Sequence, residues 1–335
     1  MQPHSPQEMN AYKERLEEIT PVSGGKQGGK PSQQVSVIVI FKDAEPFLGE
    51  AVESVRAQTF RDLELLLVDD GSTDGSTAIA RRYADQYADR VRYLEHPGHV
   101  NLGMSATRNV GVSHANGEFI AFLDADDALV PTALEEQVAL LRANPRVGMV
   151  YGPLEYWYGW TGKPEDTARD YICPLGVPAD RVHEPPSLIA TFVQNVAYSP
   201  AGIVLRRTLF EEVGGFEESF RDLYEDQVFA AKVCLAASVY ASGRCWYRYR
   251  QHPNACCLTA LHEGRMEASR EPFLHWLLDY LEQEGLEGCE AWRQARVELG
   301  LERPPLGSRV GRIADGRRLV RRLATLLAGD DETGA

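Results

Sequence analysis

Asp69-Asp70, Asp124-Ala125-Asp126, Glu225-Asp226 and His252 are the residues of this chain whose types and spacing could do chemistry. Two carboxylates one residue apart, just past an apolar run, can aim at a common ligand. Their hard oxygens suit Mg²⁺ or Mn²⁺ shared with substrate phosphates and water. The competing reading is an acidic turn that caps the next helix, because Asp is common in turns. Glu225-Asp226 opens a helical pattern. There a carboxylate can serve as a general base, or simply complement the positive end of the helix dipole. His252, in Tyr249-Arg250-Gln251-His252-Pro253, is either a ligand to a metal or diphosphate or a structural histidine. His96 and His99 flank Pro97-Gly98, where nothing nearby completes a tetrahedral zinc set, so they read as loop hydrogen-bonders.

These residues need elements to carry them. Val35–Phe41 is an apolar, β-branched run fit for a strand covered on both faces. Phe47, Leu48, Ala51, Val52 and Val55 then recur at helical spacing, with Pro46 near the first turn. Leu63–Val68 reads as a second strand, followed by the turn-rich Asp69–Gly75 and a helix carrying Ile79, Ala80, Tyr83 and Tyr87. The alternation continues with a strand at Val91–Glu95, a helix at Met104–Ala115, a strand at Glu118–Leu123 and a helix after Pro131. Such alternation implies a mostly parallel, doubly covered sheet. Ligands of such sheets sit at the carboxyl ends of the strands, where both Asp69-Asp70 and Asp124–Asp126 fall.

Beyond Val147–Tyr151, another expected strand, the pattern changes. Glu155–Pro186 is rich in prolines and aromatics without a clear period, and reads as a long functional loop that shapes the substrate pocket. Ile203–Leu205 reads as a strand, Glu225–Ala236 as a helix, Val239–Tyr249 as one strand-like stretch, and the chain from Cys257 to about Ala295 as helical.

With 44% apolar and 25% charged residues in 335, the composition is that of a globular protein able to bury a sizeable core. A formal net charge of -14 repels polyanions, which excludes nucleic acid as the expected partner. No apolar run reaches the roughly 18 residues of a spanning helix, and the N-terminus lacks the apolar core of a signal peptide, so a cytoplasmic location is expected. The six cysteines show no metal-ligand spacing and read as thiols in a reducing compartment. Residues 1–34 are polar and read as a tail, with a helical turn or two at Lys13–Ile19. Residues 303–328 carry seven arginines against Asp315, with Val310, Ile313, Leu319, Val320, Leu323, Leu326 and Leu327 among them. That stretch either packs on the domain or makes peripheral contact with the inner face of an anionic membrane.

Taken in order, Val35–Phe41, Ser54–Phe60, Leu67–Asp74, Ser105–Gly111 and Gly117–Asp127 resemble the nucleotide-binding half of glycosyltransferase family 2. Val213–Glu218 and Tyr224–Asp226 resemble its acceptor-side motifs. The resemblance covers roughly residues 35–255, divided into a nucleotide-binding half at 35–130 and an acceptor-side half at 131–255, with 256–335 as a helical C-terminal extension. It implies a GT-A type α/β fold, a doubly wound, Rossmann-like, mostly parallel sheet, and inversion at the anomeric carbon. By the same resemblance Asp70 contacts the base of the nucleotide, and Phe41, Asp43 and Glu45 line its pocket. Asp124, followed by Ala125, approaches the ribose, and Asp126 binds an Mn²⁺ or Mg²⁺ bridging the diphosphate. Arg108 and Asn109 lie near that pocket, Arg108 either balancing phosphate charge or pairing with an acidic neighbour. Asp226 matches the base position, with Glu225 as fallback. One motif departs: Ile40-Phe41-Lys42-Asp43 stands where the family often has a Pro-Thr-Tyr-Asn-like stretch. The resemblance makes a UDP-sugar the default donor and a saccharide or a lipid-linked molecule the acceptor, with surface polysaccharide synthesis as the setting.

Two other readings compete. A sugar nucleotidyltransferase also binds nucleotide on a parallel sheet with paired acids, but it usually carries a Gly-rich, basic phosphate loop where this chain has Asp43-Ala44-Glu45-Pro46. A non-catalytic module, either a phospho-acceptor suggested by Val68-Asp69-Asp70 or a sugar binder, leaves the Asp124 cluster unexplained.

Overall fold

Seven consecutive buried residues form β1 (Val35–Phe41), and the odd and even positions serve different cores. Val35, Val37, Val39 and Phe41 face one side, Ile38 and Ile40 the other, as the two-residue period of a strand requires. In the computed structural model, residues 34–193, 202–221 and 223–303 are described. The expected helix at Lys13–Ile19 and most of the basic stretch 303–328 lie outside them.

After β1 the chain alternates through α1 (Leu48–Arg56), β2 (Leu63–Asp69), α2 (Ser76–Gln86), β3 (Val91–Glu95), α3 (Met104–Ser113) and β4 (Phe119–Asp124). A two-residue β5 (Ala128–Leu129) precedes α4 (Ala133–Ala143) and β6 (Val147–Tyr151). Then come β7 (Leu154–Trp157), the short helix α5 (Pro164–Thr167), β8 (Tyr171–Ile172), β9 (Arg181–His183) and α6 (Ile189–Val193). Further along come β10 (Val204–Arg206), α7 (Arg207–Glu212), α8 (Glu225–Ala236), β11 (Ser238–Ala241) and β12 (Tyr247–Arg250). Three helices follow, α9 (Cys256–His262), α10 (Arg265–Gln283) and α11 (Glu290–Glu298).

The main sheet runs β3-β2-β1-β4-β10-β6-β11-β9. Its first four strands are parallel, and β10 and β9 run antiparallel to their neighbours. The chain moves outward from β1 through β2 to β3, then returns to place β4 on the other side of β1. That reversal opens a crevice at the carboxyl ends of β1 and β4. Leu48, Ala51, Val52 and Val55 of α1 and Leu134, Val138 and Leu141 of α4 cover one face, Val110 and Val112 of α3 with Val228, Phe229 and Val233 of α8 the other. Gly111 lets α3 approach closely, since a Cβ there would lie 2.5 Å from Ile38 Cγ2. The C-terminal helices join the second core through Phe273, Leu277 and Leu281, with Phe273 stacked on Tyr224 at 5.2 Å.

Two expectations need correction. Glu155–Pro186 is not an irregular loop: β7 and β8 pair within a second sheet of order β5-β12-β7-β8, and β9 forms an edge of the main sheet. Val239–Tyr249 is not one strand. β11 pairs with β6 in the main sheet, and β12 crosses to the second sheet to pair with β5 and β7.

Candidate active site

The register of β1 places Phe41 opposite Asp69 and Ile40 opposite Asp124, so both acidic clusters reach the same edge of the sheet. Their side chains do different work. Asp69 is fully buried, accepting from Ser72 N at 2.8 Å and Thr77 Oγ1 at 2.6 Å. It shapes the turn after β2. Asp70 accepts from the backbone N–H of Leu102 at 2.7 Å and of Gly103 at 3.2 Å, and lies 3.6 Å from His96 Nε2. His96 also meets Thr107 Oγ1 at 2.9 Å, and its burial pushes the imidazole pKa down toward the neutral form. His99 contacts Glu95 and the carbonyl of Ser72.

The loop after β1 is laced to the loop after β2. Asp43, in a left-handed backbone conformation, accepts from Thr73 N at 2.7 Å, and Glu45 accepts from Gly75 N at 2.9 Å. The adjacent Lys42 ammonium, with the Thr73 N–H, lowers the Asp43 carboxyl pKa to about 2. Phe41 is 3% exposed and packed in the core, so its ring is not available to cover a base; its carbonyl accepts from Asp70 N at 2.9 Å. The side chain of Phe41, expected to line the nucleotide pocket, is therefore taken up by the core.

Arg108, on α3, is buried between two acids from distant parts of the chain. It donates to Asp124 Oδ1 and to Glu225 Oε1, each at 3.0 Å. Burial works against its charge, but the two carboxylates more than compensate and hold its pKa above the ordinary value. Of the two roles left open for Arg108, the ion pair is the one observed. Asn109 faces away from this pair. Its amide donates to Phe216 O at 3.0 Å and its carbonyl accepts from Phe216 N at 2.9 Å, so it supports the Gly215-Phe216 turn rather than lining the crevice.

Asp226 stands at the amino end of α8, entered through Tyr224 at φ 65°. Its Oδ1 accepts from Gln227 N at 2.7 Å. Burial, reinforced by the neighbouring Glu225, raises its carboxyl pKa to about 8. Glu225 is likewise raised by burial while Arg108 pulls it down.

Asp126 Oδ2 and His252 Nε2 lie 3.0 Å apart, brought together from just past β4 and just past β12. Ala125 between the acids is buried. Asp127, which the motif reading left without a role, is fully buried, accepting from Tyr247 Oη and from Arg250 N at 2.7 Å. Burial raises its pKa well above the usual range. An aspartate that no water reaches is not legible from a run of three acids in four residues. Among the described residues no cluster of three or more His, Cys, Asp or Glu side chains could hold a metal by itself. Asp126 and His252 therefore supply an oxygen and a nitrogen donor and leave the remaining positions to other ligands. That set fits a Mg²⁺ or Mn²⁺ shared with phosphate oxygens.

A doubly wound sheet with an antiparallel strand beside β4, and acids at the switch point, defines the GT-A class of fold. The chain belongs to glycosyltransferase family 2: the model of that family matches residues 36–214. Among similar proteins, EpsE of Bacillus subtilis, named as a glycosyltransferase, is 42% identical over 111 residues, 33% of this chain and 39% of EpsE. The cholesterol galactosyltransferase of Borreliella burgdorferi is 38% identical over 102 residues, 30% of this chain and 27% of that protein. The chain thus spans well under half the length of these relatives. Among solved structures, S. aureus TarS 1-349 in complex with UDP-GlcNAc has a TM-score of 0.58 at 20% identity, covering 85% of this chain and 80% of that one. The mannosyltransferase PcManGT from Pyrobaculum calidifontis, in complex with GDP-Man and Mn²⁺, has a TM-score of 0.57 at 18% identity, covering 97% and 84%.

Proposed function

We propose that this protein transfers a sugar from a nucleoside-diphosphate sugar to an acceptor hydroxyl, with inversion at the anomeric carbon. The observation that carries this reading is the Asp124–Arg108–Glu225 bridge, which brings the acceptor-side helix with Asp226 to the end of the donor-side strand. Inverting transfer needs a carboxylate near the acceptor hydroxyl and a stabilised diphosphate leaving group, roles that Asp226 and the Asp126–His252 pair can fill.

Asp226 is the general base. Its carboxylate takes the acceptor proton as the hydroxyl attacks, while Glu225, occupied by Arg108, keeps α8 in place. Asp124 orients the ribose and Asp70 orients the loop at Leu102-Gly103 beside the base. Asp126 and His252 hold Mn²⁺ or Mg²⁺, which when bound supplies Lewis acidity to the departing diphosphate. The donor is a UDP-sugar by default, and the complexes of the two structural relatives support a nucleotide-sugar donor in general. The acceptor is a saccharide or a lipid-linked molecule. No helix among the described residues is long and apolar enough to cross a membrane, and a lipid-linked acceptor would be reached by surface contact through 303–328.

Calorimetric titration of UDP, with Mn²⁺ and again with excess EDTA, tests the donor site. Metal-dependent binding that disappears in Asp126→Ala is the expected result. Metal-dependent GDP binding in place of UDP would change the base, and failure of both nucleotides in the folded protein would remove the reading.

The raised pKa of Asp226 gives the reaction a pH dependence. Below about pH 8 the carboxyl is largely protonated and cannot accept a proton. The value of kcat/KM should therefore climb about tenfold per pH unit toward that point and level off above it. A profile flat from about pH 6 to 9, with chemistry rate-limiting, would take Asp226 out of the base role.

A further inference from the structure

Arg250 is 1% exposed, yet it carries a full charge into the region beside Asp126 and His252. Its Nε donates to the backbone carbonyl of Asp126 at 2.5 Å, and its terminal nitrogen pairs with Glu50 Oε2 at 2.7 Å. Three rings surround the guanidinium, Trp157 at 4.5 Å, Phe47 at 5.0 Å and Trp160 at 5.1 Å. A planar, weakly hydrated guanidinium is the cation suited to such a cage, where stacking offsets part of the lost hydration. The cage extends to the histidine. Trp160 Nε1 donates to Gln251 O at 2.8 Å, and Phe47 lies 4.5 Å from the His252 ring.

Arg250 grips the main chain of Asp126 and not its carboxylate. The carboxylate oxygens stay available to His252 and to a cation, while the loop that carries them is fixed. A cation neutralised directly by Asp126 would compete with a metal; one held by Glu50 and three rings does not.

We propose that Arg250 is a positioning residue for the divalent cation, and that Trp157 and Trp160 make cation affinity depend on the β7–β8 segment being docked. This rests on the reading of Asp126 and His252 as metal ligands.

The test is Mn²⁺ titration in the presence of UDP, following free Mn²⁺ by electron paramagnetic resonance, on the full chain and on Arg250→Lys, Arg250→Met and Trp160→Ala. The expected result is Mn²⁺ affinity weaker by about 10- to 100-fold in the Arg250 variants, as for other groups that orient metal ligands. Trp160→Ala should weaken it by about tenfold. Saturating Mn²⁺ should restore most of kcat, which separates lost cation affinity from damage to the chemistry. Wild-type Mn²⁺ affinity in folded Arg250→Lys and Trp160→Ala would overturn the proposal. If the Arg250 variants do not fold, Trp160→Ala alone decides in the same two directions. Asp126→Ala distinguishes the levels: if it keeps metal-dependent UDP binding, the assignment of the metal ligands fails. If it loses that binding while Trp160→Ala and Arg250→Lys stay at wild type, only the role of Arg250 and its cage fails.

Discussion

Asp226→Asn is expected to lower kcat by about a hundred- to ten-thousand-fold, the range a positioned general base contributes, with UDP affinity within about twofold of wild type. Asparagine has the same shape, and its carbonyl can still accept from Gln227 N, as Asp226 Oδ1 does at 2.7 Å. The helix entry at Tyr224 is therefore preserved, and the change removes little besides proton acceptance. Glu225, the residue just before it, is the alternative base, but both geometry and charge argue against it. It is 5% exposed and its Oε1 is taken by Arg108 at 3.0 Å, so little of its carboxylate faces an incoming hydroxyl. Steady-state rates with saturating donor, beside calorimetric UDP affinity, decide the matter. A variant with wild-type turnover would move the base elsewhere, and a parallel loss of UDP binding would show that Asp226 shapes the donor pocket.

Arg108→Met should produce the largest loss of stability, about 3–5 kcal/mol, because removing one partner of a buried ion pair leaves uncompensated charge behind. Here two carboxylates lose their partner at once, Asp124 at the end of β4 and Glu225 at the start of α8. Methionine fills much of the volume and keeps contact with Phe216, whose ring lies 5.2 Å from the guanidinium, so the cost is chiefly electrostatic. Arg108→Lys should recover only part of it, since an ammonium cannot span both carboxylates as the guanidinium fork does. Denaturant unfolding of the three proteins measures this. A methionine variant within about 1 kcal/mol of wild type would mean that Asp124 and Glu225 find other partners or take up protons.

The first half of the fold, β1 to β4, was legible because its signals are long. The seven buried positions of Val35–Phe41 and Leu63–Asp69, the helical stripe of Leu48, Ala51, Val52 and Val55, and the acids at strand ends each fill a whole element. Glu225–Ala236 was legible for the same reason. The second sheet was not, because β5 and β8 have two residues each and β7 and β12 four, too few to display an alternation. The break inside Val239–Tyr249 is marked only by Ser242-Gly243-Arg244, and which sheet each half joins is settled by partners more than 60 residues away. At the site, the sequence could name Asp126 and His252 as candidates but not their meeting, and left Arg108 open between phosphate and acid. The burial of Phe41 was not legible either, because β1 is covered on both faces and its last ring packs into the core of Val35, Val37 and Val39.

The pairing of Asp126 with His252 joins residues 126 positions apart, and Arg108 reaches 117 positions ahead to Glu225. During synthesis the parallel strands β1 to β4 can assemble first, as amino-terminal units generally do. Yet for on the order of ten seconds of elongation they lack both the histidine and the counter-ion that completes Arg108. With the roles proposed for these residues, a nascent chain at that stage has neither the complete cation grip nor the base. On that proposal, donor sugar would not be spent on hydrolysis by an unfinished chain, because turnover needs His252, which follows the last strand of the second sheet.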